Sequence, residues 1–264
     1  MNQLRKTSLL LQLLATRPVE FYDRVLNRID VAIDRILATR HFYEARDFEL
    51  AVRLLEEHSS KSPQEWLAEE SLSHIEDYVS RRACSPSGPF TTAHNADLTL
   101  ARLAYLVCRA WQPRVVVETG VAYGVTSAFI LQALDRNGKG ALVSIDLPPL
   151  GDDVASHVGS LVPEGLRNRW SVHRGPSKRL LPKVLAELKR VDVFLHDSLH
   201  TRRNIQMELN LAWRFLAPGG VLLADDVSDN DAFATFCRQT EPPVHAVVAE
   251  QNKDSRFGLA IKRK

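Results

Sequence analysis

Residues 191–226 read VDVFLHDSLHTRRNIQMELNLAWRFLAPGGVLLADD, and this stretch decides the fold. An apolar run over 191–195 ends near Asp197, a helix-period segment fills 202–215, and Pro218-Gly219-Gly220 turns the chain. A second apolar run then stops at Asp225-Asp226. Strand, helix and strand in this order predict a parallel pair, since the crossover returns the chain to the starting edge. Both acid-bearing strand ends then share the carboxyl edge, where open α/β sheets hold ligands. Three carboxylates and His200 converge there as a candidate site.

Working outward, the same alternation continues on both sides. Val115-Val116-Val117 is too apolar for a one-sided strand and suits one buried on both faces. Residues 125–134 read as a helix, 142–145 as a second strand ending on Asp146, 170–173 as a weaker third strand, and 178–189 as a helix. After the opening stretch come a helix over 231–239 and two runs, 244–249 and 257–261, with no helix between them. Those two predict an antiparallel hairpin at one edge. The expected fold is α/β: a Rossmann-like, seven-stranded, mostly parallel sheet with an antiparallel C-terminal hairpin, preceded by an all-helical region.

The first 83 residues carry only helical patterns. Phe21, Val25, Ile29, Ala32, Ile33 and Ile36 recur at helical spacing behind Pro18, and Ser62-Pro63-Gln64-Glu65 reads as a capping box ahead of Trp66, Leu72, Ile75 and Val79. Residues 84–93, rich in Ser, Pro, Gly and Thr, mark the boundary, and Asn95 is placed to cap the next helix. We therefore expect an annex over 1–87, for packing, dimerisation or covering the site, and a second domain over 88–264. The long apolar helices point to a homodimer.

The chain has 264 residues, 45% hydrophobic and 25% charged, with a formal net charge of +2. That balance fits a soluble globular protein, and no basic block is dense enough for nucleic acid. Three widely spaced cysteines, Cys84, Cys108 and Cys237, argue against a disulfide framework and for a reducing compartment. The apolar stretch 9–15 is too short to span a bilayer, so a cytoplasmic location without a membrane partner is expected.

Between the first strand and its helix lies Glu118-Thr119-Gly120-Val121-Ala122-Tyr123-Gly124. Small residues here let backbone approach a ligand, and Glu118 sets an anion where a dinucleotide pyrophosphate would sit. That disfavours NAD and favours a cofactor with a cationic amino-acid tail. Asp146 ends the second strand, where an acid accepts from ribose hydroxyls.

The order ETGVAYG, IDLPP, HDSLH, PGGVLLADD resembles the class I S-adenosylmethionine-dependent methyltransferases. More narrowly it is similar to metal-dependent small-molecule and sugar O-methyltransferases, of the methyltransferase family 24 kind, over residues 88–264. The resemblance implies S-adenosyl-L-methionine as cofactor, held by Glu118, Gly120, Ala122, Gly124 and Ser127, with Asp146 on the ribose. Relatives often carry an acid near the adenine where this chain reads Gly175-Pro176-Ser177, which leaves Ser177 for that contact. It also implies Mg²⁺ on Asp197 and on one or both of Asp225 and Asp226, with His200 as general base.

The expected activity is Mg²⁺-dependent methyl transfer to a hydroxyl of a sugar or other natural product. The rivals are an NAD-dependent oxidoreductase on a similar sheet and a non-catalytic cofactor-binding relative. His196 and Asp197, adjacent on a strand, should point to opposite faces, so a shared iron or zinc site is disfavoured. Asp229 and Asn230 are better placed than Asp225 and Asp226 to cap the following helix. Arg202 and Arg203 read as solvated helix positions.

Overall fold

A computed structural model describes residues 3–37, 41–59, 62–83, 98–151, 154–251 and 253–264. Five helices come first: α1 (Gln3–Thr16), α2 (Pro18–Leu37), α3 (Phe48–His58), the single turn α4 (Gln64–Leu67) and α5 (Glu70–Ala83). From α6 (Leu98–Trp111) onward strands and helices alternate: β1 (Val115–Thr119), α7 (Val125–Arg136), β2 (Ala141–Asp146), α8 (Val154–His157), β3 (Trp170–Arg174), α9 (Ser177–Leu188), β4 (Val191–His196), α10 (Arg202–Phe215), β5 (Leu216–Ala224) and α11 (Ala232–Thr240). The chain closes with β6 (Val244–Ala249) and β7 (Arg256–Ile261).

The strands form one seven-stranded sheet in the order β3-β2-β1-β4-β5-β7-β6. The first five run parallel, while β7 lies antiparallel to both β5 and β6, as the missing helix between them predicts. Alternate residues serve alternate layers. Val116, Leu142, Val193, Leu195, Val221 and Leu223 face a core built with α3, α5, α6 and α7. Val117, Phe194, Leu222 and Ala224 face a second core built with α9, α10 and α11. Ala51, Val52, Leu55, Ile75 and Val79 belong to the first core, so α3 and α5 pack continuously with the sheet. The boundary expected over 84–93 and the cap expected at Asn95 lie outside the described residues.

One N-terminal expectation needs correcting. The Ser62 capping box does not form: its hydroxyl donates to Glu56 Oε1 at 2.8 Å, and the helix breaks after Leu67. That break lets Glu69 reach Arg109 Nη2 at 2.6 Å and the Tyr105 hydroxyl. The apolar stripe of α2 faces away from the core. Val25, Ile29 and Ile36 are 38%, 47% and 81% exposed, whereas Glu20 and Asp30 are buried. It is the acidic face that packs, because the sheet's edge meets it with cations. Asp23 pairs with Arg179 at 2.9 Å, Asp30 with Lys178 at 3.1 Å and Arg203 at 3.3 Å, and Glu20 with Arg174 at 3.3 Å. Among the described residues no helix is long and apolar enough to cross a membrane.

Candidate active site at the carboxyl edge

One residue beyond each of β3, β1, β4 and β5, a backbone N–H donates to the adjacent strand's carbonyl. Gly175 bonds to Asp146, Gly120 to Ile145, Asp197 to Thr119 and Asp225 to His196, at 2.7–2.8 Å. This lacing sets the four loops against one another before any side chain acts. At Gly120, φ is +83°, and an added Cβ would lie 1.8 Å from the Asp197 carbonyl oxygen. Glycine is thus demanded there by the neighbouring loop as much as by any ligand.

A cavity of about 480 Å³ opens over the laced edge. Gly120, Ala122, Asp146, Ser177, Asp197, His200, Asp225 and Asp226, all singled out from sequence, line it together. Asp146 Oδ1 accepts from Val121 N at 3.0 Å, while its Oδ2 is buried with no partner among the described residues. Burial pushes the Asp146 carboxyl up, against the backbone N–H groups of Val121 and Ala122.

Three of the expected residues are not on this wall. Glu118 is buried beneath it, and its Oε2 accepts from Ser127 Oγ at 2.6 Å and Ser144 Oγ at 2.7 Å. Burial raises Glu118 to about 7 despite those two donors. Ser127 therefore acts on Glu118, and Gly124, at φ +86°, opens α7 against Gly159. Ser177 lines the cavity, and its hydroxyl donates to Glu208, which leaves it only as an acceptor toward the cavity.

The acids crowd the other end. Asp197, His200 and Asp225 bring ligand atoms within 4.8 Å of one another. Burial and then the charge of Asp225 push Asp197 well above the usual carboxylate range; burial and then the charge of Asp226 raise Asp225. His200 Nδ1 lies 3.2 Å from Asp226 Oδ2, and its Nε2 lies 3.5 Å from Asp197 Oδ1. Burial alone would lower the imidazole, but Asp197 and then the charges of Asp225 and Asp226 raise it to about 9.

The two neighbouring acids are not equivalent. Asp226 adopts φ +48°, an uncommon left-handed turn that aspartate tolerates, and its oxygens are occupied by Ser255 and His200. Asp225 is 3% exposed and its Oδ1 has no partner among the described residues. Asp225 is thus the acid with an oxygen to spare. Asp225, Asp226 and Glu250 also cluster within 4.8 Å.

Sequence reasoning missed Glu208, which is fully buried. It accepts from His196 Nδ1 at 2.6 Å, Ser198 Oγ at 2.6 Å, Asn204 Nδ2 at 2.9 Å and the Thr119 hydroxyl. Burial would raise it, but His196 and the hydroxyl donors hold it down at about 2. Asn204 also donates to Leu199 O at 2.9 Å, so Glu208 and Asn204 clamp the 197–200 loop from below. His196 faces this layer, opposite Asp197, and its ring packs edge-on against His200 at 5.5 Å.

Neither Asp229 nor Asn230 is the N-cap of α11, which is Asp231; one residue earlier, Asn230 Oδ1 accepts from Ala232 N at 3.0 Å. Arg202 and Arg203 are not free surface cations, since they pair with Asp231 and Asp30. Asn27 of α2 also lines the cavity, and no signal in the sequence pointed to it.

Comparison with known proteins adds to this geometry. Residues 117–227 match the family described as “Methyltransferase domain”. No curated protein matches the chain. Among solved structures, a putative O-methyltransferase from Klebsiella pneumoniae is similar at a TM-score of 0.55 and 18% identity, over 75% of this chain and 91% of that one. The SAH-bound methyltransferase PaMTH1 of Podospora anserina gives 0.53 and 14%, over 86% and 99%. An O-methyltransferase from Bacillus cereus in complex with SAH gives 0.52 and 14%, over 82% and 100%. At these identities the likeness is one of fold. The residues that match this family run from β1 to the turn after β5, and the chain shares the fold of these methyltransferases.

Proposed function

We propose that this protein transfers a methyl group from S-adenosylmethionine to a hydroxyl oxygen of a small molecule, such as a sugar or another natural product, with Mg²⁺ as cofactor. The observation that carries the reading is one cavity with two chemically different ends: a ribose-type acceptor at Asp146, and His200 among three carboxylates. S-adenosylmethionine supplies an electrophilic methyl group on a sulfonium. The unpartnered Oδ2 of Asp146 is free to accept from ribose hydroxyls, and the glycine-bearing turn after β1 admits the rest.

The donor set at the other end fits a hard divalent cation. Asp197 and Asp225 would hold it first, with Asp226 beside them, because oxygen ligands suit Mg²⁺ and Asp225 Oδ1 is buried with no partner. When bound, such an ion lowers the pKa of a hydroxyl. The carboxylates that pull a proton onto His200 would then have their charge balanced, which favours the neutral imidazole a base requires. Asp226 sits against Nδ1, so Nε2 is the atom we assign to take the hydroxyl proton.

Two broader expectations belong to the same proposal. Free Cys108 and Cys237 suit a reducing, cytoplasmic setting. The outward stripe of Val19, Tyr22, Val25, Leu26 and Ile29 on α2, beside exposed Leu11 and Leu14 of α1, supports a homodimer.

Calorimetric titration with S-adenosylhomocysteine, with NAD as control and with or without Mg²⁺, tests the reading. Micromolar binding of S-adenosylhomocysteine, followed by Mg²⁺-stimulated methylation in a hydroxylated-acceptor screen, is expected. Binding of NAD alone would return the oxidoreductase reading.

A further inference from the structure

Beyond Asp146, away from His200, the cavity is walled by Leu147-Pro148-Pro149 after β2, Gly175-Pro176-Ser177 after β3, and Asn27 from α2. On the proposed reading, the methyl-bearing end of the donor points to His200 and its ribose lies on Asp146. The base then falls at this third wall. Leu147 and the three prolines offer flat apolar flanks but no side-chain hydrogen-bonding group. Ser177 is engaged by Glu208. The other amide on the cavity, Asn204, is already shared among Ser198, Leu199 and Glu208.

Asn27 differs. It is half-buried in the middle of a face whose other members are tied down. Glu20, Asp23 and Asp30 carry their ion pairs, Arg24 donates to Pro148 O at 2.8 Å, and Asp34 accepts from Arg202 N at 2.8 Å. Position 27 is therefore fixed one turn from Asp23 and Arg24 on one side and one turn from Asp30 on the other. Among the described residues its amide has no hydrogen-bond partner.

We propose that Asn27 reads the adenine of the methyl donor, so that the helical annex supplies a specificity residue for the cofactor. A carboxamide presents one acceptor and two donors side by side. The adenine edge presents a 6-amino donor beside a ring-nitrogen acceptor, and the two match as a bidentate pair. The carboxamide would supply a paired donor and acceptor where Gly175-Pro176-Ser177 carries no acid and a hydroxyl already donated to Glu208. This inference rests on the S-adenosylmethionine reading above.

The test is calorimetric and needs no turnover. Wild-type protein and Asn27→Ala are titrated with S-adenosylhomocysteine and with its 6-deamino analogue, which carries purine in place of adenine. Wild type should prefer S-adenosylhomocysteine by roughly tenfold, the worth of one good hydrogen bond. Asn27→Ala should bind it roughly tenfold more weakly and treat both ligands alike, with an unchanged thermal midpoint, since alanine suits an open helix position. A wild type without preference, or a variant that keeps the wild-type preference whether or not its affinity drops, overturns the assignment. Wild-type protein that binds neither ligand overturns the methyl-donor reading, and this inference with it.

Discussion

Asp197 and His200, three residues apart, divide the chemistry at the acidic end. In Asp197→Ala the cluster loses the carboxylate that faces both His200 and Asp225. Cation-stimulated turnover should fall by at least about 10²-fold while the dissociation constant of S-adenosylhomocysteine changes little; full activity in this variant would remove the cation from the mechanism. His200→Ala should lower kcat by on the order of 10²-fold, with partial recovery at high pH as hydroxide replaces the missing base. A flat loss at every pH would make His200 a positioning group instead. That these acids and His200 meet at one edge was legible, because acids stopping two apolar runs are visible in any single sequence. Which of Asp225 and Asp226 has an oxygen to spare was not, since that turns on the left-handed backbone at Asp226 and on Ser255, from the far hairpin. Glu208 did leave a trace: it occupies the apolar face of α10 with Ile205, Leu209 and Ala212, where an acid needs partners to be tolerated.

At the scale of elements, α10 does more than cross between strands. Its Glu208 ties β1 through Thr119, β4 through His196 and the 197–200 loop through Ser198. Glu208→Leu would strand these donors in a dry layer and should cost on the order of 3–5 kcal/mol, read as a drop of roughly 10 °C in Tm. Glu208→Gln, which keeps an acceptor, should recover part of it. An unchanged Tm in the leucine variant would mean that the buried network stabilises nothing. Strands and crossover helices followed from periodicity because their burial is decided locally, by residues that alternate or recur. The orientation of α2 was decided elsewhere. Periodicity groups Val25 with Ile29 and Glu20 with Asp30, but which group turns inward depends on Arg174, Lys178, Arg179 and Arg203, more than a hundred residues away.

For the whole molecule, the site's protons link function to stability. Glu118 titrates at about 7 in the folded chain against an ordinary 4.5, so the fold holds that proton more tightly than the unfolded chain does. Its contribution is complete below about pH 4.5 and is lost as pH rises through 7, a difference of about 3 kcal/mol. Asp146, Asp197 and Asp225 share this sign, and His200, raised to about 9, extends the loss toward pH 9. Glu208, Glu20, Glu69 and Asp231 are lowered and act oppositely, giving stability that is lost as pH falls below 4.5. Melting curves in chelator should therefore peak near pH 5 and decline toward pH 9, and Glu118→Gln should flatten the segment from 5 to 7. A Tm that climbs over that range would contradict these burials. In sedimentation the chain should run as a dimer, and charged substitutions at Tyr22 and Ile29 should shift it to monomer; a wild-type monomer would leave that apolar stripe without the proposed partner. The laced strand tips carry a consequence for inheritance. Because the Asp197 carbonyl fills the space that a Cβ at position 120 would need, no side chain can enter the turn after β1 unless the acid loop moves with it. The two loops therefore vary only as a pair, and the laced edge is inherited as a single piece.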